Sequence, residues 1–371
     1  MGAHCRAAYT RQMAFRSGFV SIIGRPNAGK STLLNALLGE KLAIVTHKAQ
    51  TTRTRILGVL EQPAKPKSKT QPALPPAQVV LVDTPGVHKP SSQLDKRMMQ
   101  EVHDALEGRD VILFLVDATH RIHEPKPRIE GKSPTPGEDK RALSAAEDAF
   151  ALSLLRNVTC PVMLVFNKID LVKREDLLPL ITHWSTKHDF AETILISAAK
   201  KDGLDTLLDK VVERLPAGER YFPEDQLTDQ PMRFLAAELI REKILLYTGE
   251  EVPYASAVVI ETWEEPGPQR KPRKTDTLPP KLPVTKIAAA IFVEREGQKA
   301  ILIGKQGTML KQIGTAARKE IESLLDTRVF LELFVKVKED WRSKRGFVDE
   351  LDWRRQLESL SEQQNKKPVQ E

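Results

Sequence analysis

The sequence has little cysteine and no long apolar run. Its 371 residues include only Cys5 and Cys160, too few for a disulfide framework or a cysteine metal cluster, and this is typical of a reducing compartment. No apolar run approaches the roughly 18 residues of a membrane-spanning helix. A chain of this length exceeds one ordinary core, so two domains are expected.

The net charge is moderately basic. Lysine and arginine number 57 against 50 acidic residues, which gives a formal charge of +7. A basic balance favours nucleic acid or an acidic membrane surface as a partner, without deciding between them. Residues 1–17 carry arginines among alanines and no acid, and we interpret them as an N-terminal extension rather than a targeting remnant.

A phosphate-binding loop is predicted near the start of the chain. Gly24–Ser31 matches G-x-x-x-x-G-K-S, follows the apolar run Phe19–Ile23 and precedes the helical pattern Thr32–Leu38. In this context the loop N–H groups face phosphate oxygens, the lysine reaches the outer phosphates and the serine hydroxyl binds Mg²⁺. The predicted nucleotide contacts here are Gly24, Arg25, Pro26, Asn27, Ala28, Gly29, Lys30, Ser31 and Thr32, with Lys30 also catalytic and Ser31 also a metal ligand.

Downstream, strands and helices alternate, which predicts a doubly wound α/β sheet. The apolar runs 79–82, 111–116 and 161–166 are typical of buried strands, and a polar residue follows each one. Such residues meet at the carboxyl edge of the sheet, where ligands bind. Residues 56–60 and 79–82 are expected to pair as a hairpin.

The boundaries of this first domain are predicted from composition. We place it at 18–217, with insertions at 61–78 and 120–141 that are rich in proline and charge and are expected to loop out. Residues 218–230 are acidic and read as a linker with few stabilising contacts.

The segment Asp83-Thr84-Pro85-Gly86 and a threonine-rich loop predict the metal and γ-phosphate contacts. Asp83 supplies a carboxylate for a Mg²⁺-bound water, and Gly86 supplies an amide for the γ-phosphate. Thr51 or Thr52 closes over the metal, and the sequence does not decide between them. Val87, also a predicted nucleotide contact, stands where many GTPases have a water-orienting glutamine, so slow intrinsic hydrolysis is expected. Thr51, Thr52 and Gly86 are predicted to be catalytic together with Lys30.

The segment Asn167-Lys168-Ile169-Asp170 predicts guanine rather than adenine as the base. The Asp170 carboxylate accepts from both the N1–H and the amino group of guanine, and adenine has no such donor pair. The stem of Lys168 covers the ring, and Ser197-Ala198 adds a backbone N–H for the guanine carbonyl. Together these motifs predict GTP/GDP and Mg²⁺ as ligands.

Beyond residue 230 the element order becomes α-β-β-α-α-β, which predicts a smaller α+β domain over 231–340. Its insertion 264–283 reads as a solvated loop, with non-specific phosphate contact as the alternative. The segment Gly304-Lys305-Gln306-Gly307 lies between the strand-like run Ala300–Ile303 and a helix. A G-x-x-G loop in that place clamps single-stranded RNA in KH domains, although a plain tight turn is the alternative. Residues 341–371 are polar and expected to fray.

These motifs together resemble the Era GTPases, ribosome-associated G proteins of bacteria and organelles. The resemblance covers roughly residues 18–338 and also rests on Lys48–Arg53, Arg241–Lys243 and Val293–Lys299. It implies a P-loop GTPase domain followed by a type II KH domain that binds the 3′ end of small-subunit ribosomal RNA in 30S ribosomal subunit assembly. It further implies K⁺ bound through Asn27, a monomer, and a cytoplasmic rather than organellar location with peripheral membrane contact.

Two other functions remain open from the sequence. One is an RNA-binding protein whose nucleotide site is only structural. The other is a relative of the tRNA-modification GTPases, with the same P-loop and Val87 but a different partner domain.

Overall fold

The computed structural model describes residues 14–48, 50–67, 72–120, 136–249, 251–267 and 283–358. Predictions for the remaining residues, which include most of the two later insertions and the end of the chain, lie outside the described residues. Among the helices that are described, none combines the length and the apolar character needed to cross a bilayer.

The first domain is a six-stranded sheet with helices on both faces. Its strands run in the order β2-β3-β1-β4-β5-β6, and only β2 is antiparallel to its neighbour. This confirms the doubly wound α/β fold and the predicted hairpin. The strands are β1 (Arg16–Ile23), β2 (Ile56–Gln62), β3 (Ala77–Asp83), β4 (Val111–Asp117), β5 (Val162–Asn167) and β6 (Glu192–Leu195). The helices are α1 (Lys30–Leu38), α2 (Gln93–Leu106), α3 (Pro136–Ser153), α4 (Arg174–Ser185) and α5 (Leu204–Val212).

Burial on both faces of the sheet explains its composition. Every residue of β3 and of β4 is buried, because helices cover a parallel sheet on both sides. The carboxyl ends of β1, β3, β4 and β5 therefore open at one edge, where Gly24, Asp83, Asp117 and Asn167 follow or end their strands.

The insertion 61–78 is only partly a loop. β2 and β3 extend into both of its ends, and beyond them Lys65 and Leu74 exchange two backbone hydrogen bonds of 3.0 and 2.9 Å. Leu74 is 6% exposed and belongs to the core. The prediction that the whole segment loops out is wrong, because Leu74 anchors it in the core. A single apolar residue is not apparent from a composition rich in proline. Residues 68–71 lie outside the described residues.

The prediction of a linker with few contacts at 218–230 is also wrong. The buried Gln78 side chain donates to the Phe222 carbonyl at 2.8 Å and accepts from the Tyr221 N–H at 2.8 Å. Farther along, the Val59 N–H donates to the Leu227 carbonyl at 2.8 Å. The segment therefore pairs with the otherwise free edge of β2, which an acidic composition does not reveal.

The second domain has the predicted order of elements. It comprises α6 (Met232–Tyr247), α7 (Val252–Ala255), β7 (Ala257–Glu264), β8 (Val284–Val293), α8 (Glu296–Ile303), α9 (Thr308–Leu325) and β9 (Arg328–Val337). The sheet order is β7-β8-β9, with β8 and β9 parallel. The short α7 was not predicted. Ala300–Ile303, predicted to be strand-like, forms the last turn of α8, because Leu302 is fully buried there and Gly304 ends the helix.

Residues 341–352, which follow the second domain, are packed and do not fray. Trp341 is 0% exposed, donates from its indole nitrogen to the Ala255 carbonyl at 2.8 Å, and packs with Met98 of α2. Phe347 and Val348 of α10 (Arg345–Glu350) join the same cluster. The predicted flexible tail is therefore wrong from 341 to 352, since a few apolar residues among charged ones bury against both domains.

Trp341→Ala is expected to lower the free energy of unfolding by about 3–5 kcal/mol, because it removes a fully buried indole. Urea unfolding followed by circular dichroism measures the change. Leu357→Ala serves as the control, since that side chain is 42% exposed, and it should cost less than about 0.5 kcal/mol. Equal effects of the two substitutions would contradict a packed C-terminal segment.

Candidate functional site

The phosphate-binding loop is fixed by glycine geometry and by a buried lysine. Gly29 has φ +95°, and a Cβ there would lie 2.3 Å from Asn167 Nδ2, so only glycine fits. α1 begins at Lys30 and directs its N-terminus at the loop. Lys30 Nζ donates to the carbonyls of Gly24 and Arg25 at 3.0 Å each, and burial lowers the pKa of Lys30 to about 8. Phosphate oxygens can accept hydrogen bonds from this ammonium group in place of the two carbonyls.

Three oxygen-bearing side chains from distant segments converge beside the loop. Ser31 Oγ donates to Asp83 Oδ2 at 2.6 Å and lies 2.8 Å from Thr52 Oγ1. Asp83 is 0% exposed, and its Oδ1 has no hydrogen-bond partner among the described residues. Burial raises the pKa of Asp83 to about 6. A buried carboxylate with an unpaired oxygen beside two hydroxyls fits a hard cation such as Mg²⁺.

The two candidate switch threonines have different environments. Thr52 Oγ1 donates to Asp83 Oδ2 at 3.4 Å. Thr51 Oγ1 instead donates to the Lys48 carbonyl at 2.7 Å and lies 2.7 Å from Thr46 Oγ1. The structure thus brings Thr52, and not Thr51, to the oxygen cluster.

The segment after β3 lies against the phosphate-binding loop. A Cβ at Gly86 would be 2.8 Å from Pro26 Cα, so the two segments touch. The Thr84 hydroxyl donates to the Ile22 carbonyl at 2.8 Å and is structural. Val87 is 0% exposed and packs in the core, while its N–H donates to the Gly24 carbonyl at 3.2 Å. Its side chain therefore cannot orient a water molecule.

Asn167 connects three loops of the site. Its Nδ2 donates to the Ala28 carbonyl at 2.9 Å, and its Oδ1 accepts from the N–H groups of Lys168 and Ala198 at 2.9 and 3.0 Å. The Ala198 N–H, which the sequence assigned to the guanine carbonyl, is thus directed at Asn167. Asn167 thus joins the phosphate-binding loop to the segments that follow β5 and β6.

Asp170 is hydrogen-bonded to the segment that follows β6. Its side chain is exposed, and its Oδ1 accepts from the buried Ser197 hydroxyl at 2.6 Å. The Ile169 N–H donates to the Ile196 carbonyl at 3.3 Å, which joins this loop to the one that follows β6. Asp170 is therefore held in one orientation with an oxygen toward solvent.

Asp117, the last residue of β4, is a positioning residue that the motif analysis missed. Its Oδ2 accepts from Lys168 Nζ at 2.7 Å and from Arg25 Nη2 at 3.2 Å. Although burial opposes ionisation, hydrogen bonds from His120, Lys168 and Thr119 hold the pKa of Asp117 well below its usual range. The side chain of Arg25, in the predicted phosphate-binding loop, faces this carboxylate. The sequence did contain a signal for this role, because Asp117 directly follows the apolar run 111–116.

Residues 46–48 and 50–53, here the switch loop, contact the second domain as well as Ser31 and Asp83. Arg241 of α6 donates to the Thr51 carbonyl, and Lys48 Nζ donates to two carbonyls at the end of α6. Arg53 Nη1 donates to the Ser256 carbonyl at 2.6 Å. The loop that carries Thr52 is therefore held by both domains.

The G-x-x-G loop joins α8 to α9 with strained backbone. Gly304, Gln306 and Gly307 have φ values of +71°, +52° and +78°. A Cβ at Gly304 would lie 2.7 Å from Met309 Cβ, so a larger residue would displace the start of α9. Lys305 and Gln306 are exposed at the turn, where a backbone phosphate can approach.

Both domains of this chain resemble those of one group of known proteins. The family model described as a 50S ribosome-binding GTPase matches residues 19–168, and one described as a KH domain matches residues 275–342. GTPase Era of Syntrophus aciditrophicus (strain SB) is 43% identical over 327 residues, 88% of this chain and 92% of that protein. GTPase Era of Geotalea uraniireducens (strain Rf4) is 45% identical over 339 residues, 91% and 98% of the two chains.

Solved structures give the same result. A crystal structure of an Aquifex aeolicus Era variant bound to GDP and AlF₄⁻ has a TM-score of 0.72 at 38% identity and covers 91% of this chain and 99% of that one. A structure of Era in complex with MgGDPNP and nucleotides of 16S ribosomal RNA has a TM-score of 0.71 at 39% identity, with coverage of 91% and 99%. Through both domains, therefore, this chain belongs to the Era family of GTPases.

Proposed function

We propose that this GTPase binds the 3′ end of small-subunit ribosomal RNA through its KH domain during 30S subunit assembly, with the bound nucleotide controlling access to that domain. The similar Era structure in complex with 16S ribosomal RNA supports the RNA class. The proposed coupling rests on two sets of contacts made by the switch loop. Thr52 lies beside the oxygens proposed to bind the metal. Lys48 and the Thr51 carbonyl contact α6.

We assign the nucleotide contacts from the geometry. Lys30 and the N-terminus of α1 would hold the phosphates, and Ser31, Thr52 and Asp83 would hold Mg²⁺. When bound, Mg²⁺ neutralises charge on the phosphate oxygens. Asp170 would read the base, while Asn167 and Asp117 keep the surrounding loops in place.

Thr52→Ala is expected to lower kcat for GTP hydrolysis by more than about tenfold, because it removes a hydroxyl beside the metal-binding carboxylate. Thr51→Ala is the matched control and should change kcat by less than about threefold, because the contact with Arg241 uses the Thr51 backbone carbonyl. Phosphate release over a Mg²⁺ titration measures both. A larger loss in Thr51→Ala than in Thr52→Ala would overturn this assignment.

We also propose that a K⁺ ion assists hydrolysis at Asn27. Asn27 has φ +61°, and its Nδ2 donates to the His47 carbonyl at 2.9 Å, so the amide bridges the phosphate-binding loop and the switch loop. The amide oxygen remains as a ligand for a cation. A cation near the phosphates would stabilise the charge that develops during hydrolysis, in the place of an arginine finger.

GTP hydrolysis is expected to be more than about tenfold faster in KCl than in NaCl at equal ionic strength. Asn27→Ala should remove that difference between the two salts. Steady-state phosphate release measures the four combinations. Equal rates of the unaltered protein in the two salts would exclude the K⁺ role.

RNA binding at the G-x-x-G loop is tested by reversing one charge. Lys305→Glu should weaken binding of a labelled RNA from the small-subunit 3′ end by about tenfold or more, because an acidic side chain at the turn repels phosphate. Lys187→Glu, at an exposed lysine of the first domain, makes the same charge change away from the loop and should have little effect. Fluorescence anisotropy with GDPNP and with GDP gives both affinities.

Equal losses in the two variants would mean that only total charge matters. Equal affinity with GDPNP and GDP would remove the proposed control by the nucleotide while leaving the RNA site intact. The monomeric state, the cytoplasmic location and the peripheral membrane contact that the Era resemblance implies stay predictions.

A further inference from the structure

The nucleotide motifs assign no role to His88, which directly follows Val87. Its side chain is 15% exposed and lies between the end of the Asp83–Val87 segment, the start of α2 and the switch loop. His88 Nδ1 lies 3.0 Å from the Gly86 carbonyl oxygen, and Nε2 lies 3.1 Å from Asp95 Oδ1. Both ring nitrogens therefore face oxygen atoms.

Asp95 is held at the start of α2 as a carboxylate. It is 4% exposed, and its Oδ2 accepts from the N–H groups of Ser91 and Ser92 at 3.0 Å each. Although burial opposes ionisation, hydrogen bonds from His88 and Ser91 hold the pKa of Asp95 well below its usual range. An ionised carboxylate can only accept, so the proton between Asp95 and His88 belongs to the ring.

Gln50 of the switch loop agrees with a proton at that position. Its Nε2 donates to Asp95 Oδ1 at 3.3 Å and lies 3.2 Å from His88 Nε2. An unprotonated Nε2 could accept from this amide, but its lone pair would then face the carboxylate at 3.1 Å. The Gly86 carbonyl likewise accepts only, so the contacts are satisfied together when both ring nitrogens carry a proton.

The surrounding charges favour the protonated ring. The hydrogen bond to Asp95 raises the pKa of His88 above its ordinary value, although burial opposes the charge. The two carboxylates that act on the ring are Asp95 on α2 and Glu147 on α3, and both stabilise an imidazolium.

His88 fixes one peptide group beside the phosphate-binding loop. The N–H of the Gly86–Val87 peptide donates to the Gly24 carbonyl at 3.2 Å, and its carbonyl accepts from His88. Glycine is free to rotate about both of its backbone bonds, so contacts from outside must set the direction of the Gly86 N–H. That N–H is the group that the sequence predicts to contact the γ-phosphate.

We propose that His88, protonated on both ring nitrogens, is a positioning residue for GTP hydrolysis. Its Nδ1–H holds the Gly86–Val87 peptide, and its Nε2–H joins that peptide to α2 through Asp95. The Gly86 N–H would thereby be held toward the γ-phosphate, where charge develops during hydrolysis. This role rests on the predicted contact of Gly86 with the γ-phosphate, and neither the RNA binding nor the K⁺ ion proposed above enters it.

Two variants separate the two ring nitrogens. Asparagine places an amide nitrogen near the position of histidine Nδ1, and glutamine places one near that of Nε2. His88→Asn can therefore still donate to the Gly86 carbonyl, whereas His88→Gln can donate only to Asp95. We expect the single-turnover rate of hydrolysis at pH 6.5 to fall by about tenfold or more in His88→Gln and by less than about threefold in His88→Asn. His183→Gln, at an exposed histidine of α4, is the control and should not change the rate.

The dependence of the rate on pH tests the charge of the ring. A neutral imidazole has one N–H, which the carboxylate takes, so the Gly86 carbonyl loses its donor when His88 deprotonates. The rate of the unaltered protein, divided by that of His88→Asn, should therefore fall by about fivefold or more as the pH rises from about 6 to 9. Other groups in the site titrate alike in both proteins and cancel in this ratio.

Nuclear magnetic resonance observes the protons directly. In the full chain with Mg²⁺ and GDPNP at pH 6, long-range ¹H–¹⁵N spectra should show both nitrogens of His88 protonated, with the signals assigned by their loss in His88→Asn. Circular dichroism and the affinity for GDP, which lacks the γ-phosphate, should be unchanged in every variant. A lower affinity for GDP would indicate general damage to the nucleotide site and would count against a role at the γ-phosphate.

A purely structural role would give the opposite order of the two variants, because His88→Asn loses the contact with Asp95. A lower rate in His88→Asn than in His88→Gln, or equal losses in the two, would therefore overturn the proposal. A rate ratio that does not change with pH, or a ring with a single proton at pH 6, would overturn it as well. The last two measurements do not use His88→Gln and decide the matter even where that variant fails to fold.

Discussion

The buried carboxylate of Asp83 is the constraint on which the rest of the site depends. A charge in this position is costly unless a cation or hydrogen-bond donors compensate it. Ser31 and Thr52 reach the same oxygen, one from the start of α1 and the other from the switch loop. Because the three residues belong to separate segments, the carboxylate joins the phosphate-binding loop, the switch loop and the end of β3.

The switch loop transmits this constraint to the second domain. Thr52 faces Asp83, while the carbonyl of the preceding residue accepts from Arg241, and Lys48 and Arg53 donate to carbonyls of α6 and of the segment before β7. Withdrawal of the loop from the nucleotide would break contacts in both domains at once. The control of the second domain by the nucleotide that we propose would act through these contacts.

The C-terminal segment completes the contact between the domains. Trp341 and Phe347 pack against α2, which follows the Asp83 segment, and against the start of the KH sheet. Arg354 adds an ion pair to Glu101 of α2 at 3.2 Å. Membership in the Era family also removes the tRNA-modification alternative.

The nucleotide motifs were predictable because each acts through adjacent residues. Gly24–Ser31 and Asn167–Asp170 bring backbone groups and side chains together within a few residues, so local sequence is enough. The alternation of strands and helices likewise predicted the sheet, since burial on both faces demands continuous apolar runs.

The tertiary structure alone decided what depends on pairs far apart in the chain. It selected Thr52 over Thr51, turned Arg25 toward Asp117, and packed residues 218–230 and the segment after Trp341 against the first domain. Composition describes these stretches as polar because their anchoring residues are few. These contacts join single side chains that lie far apart in the chain, and such pairing leaves no periodic signal in the sequence.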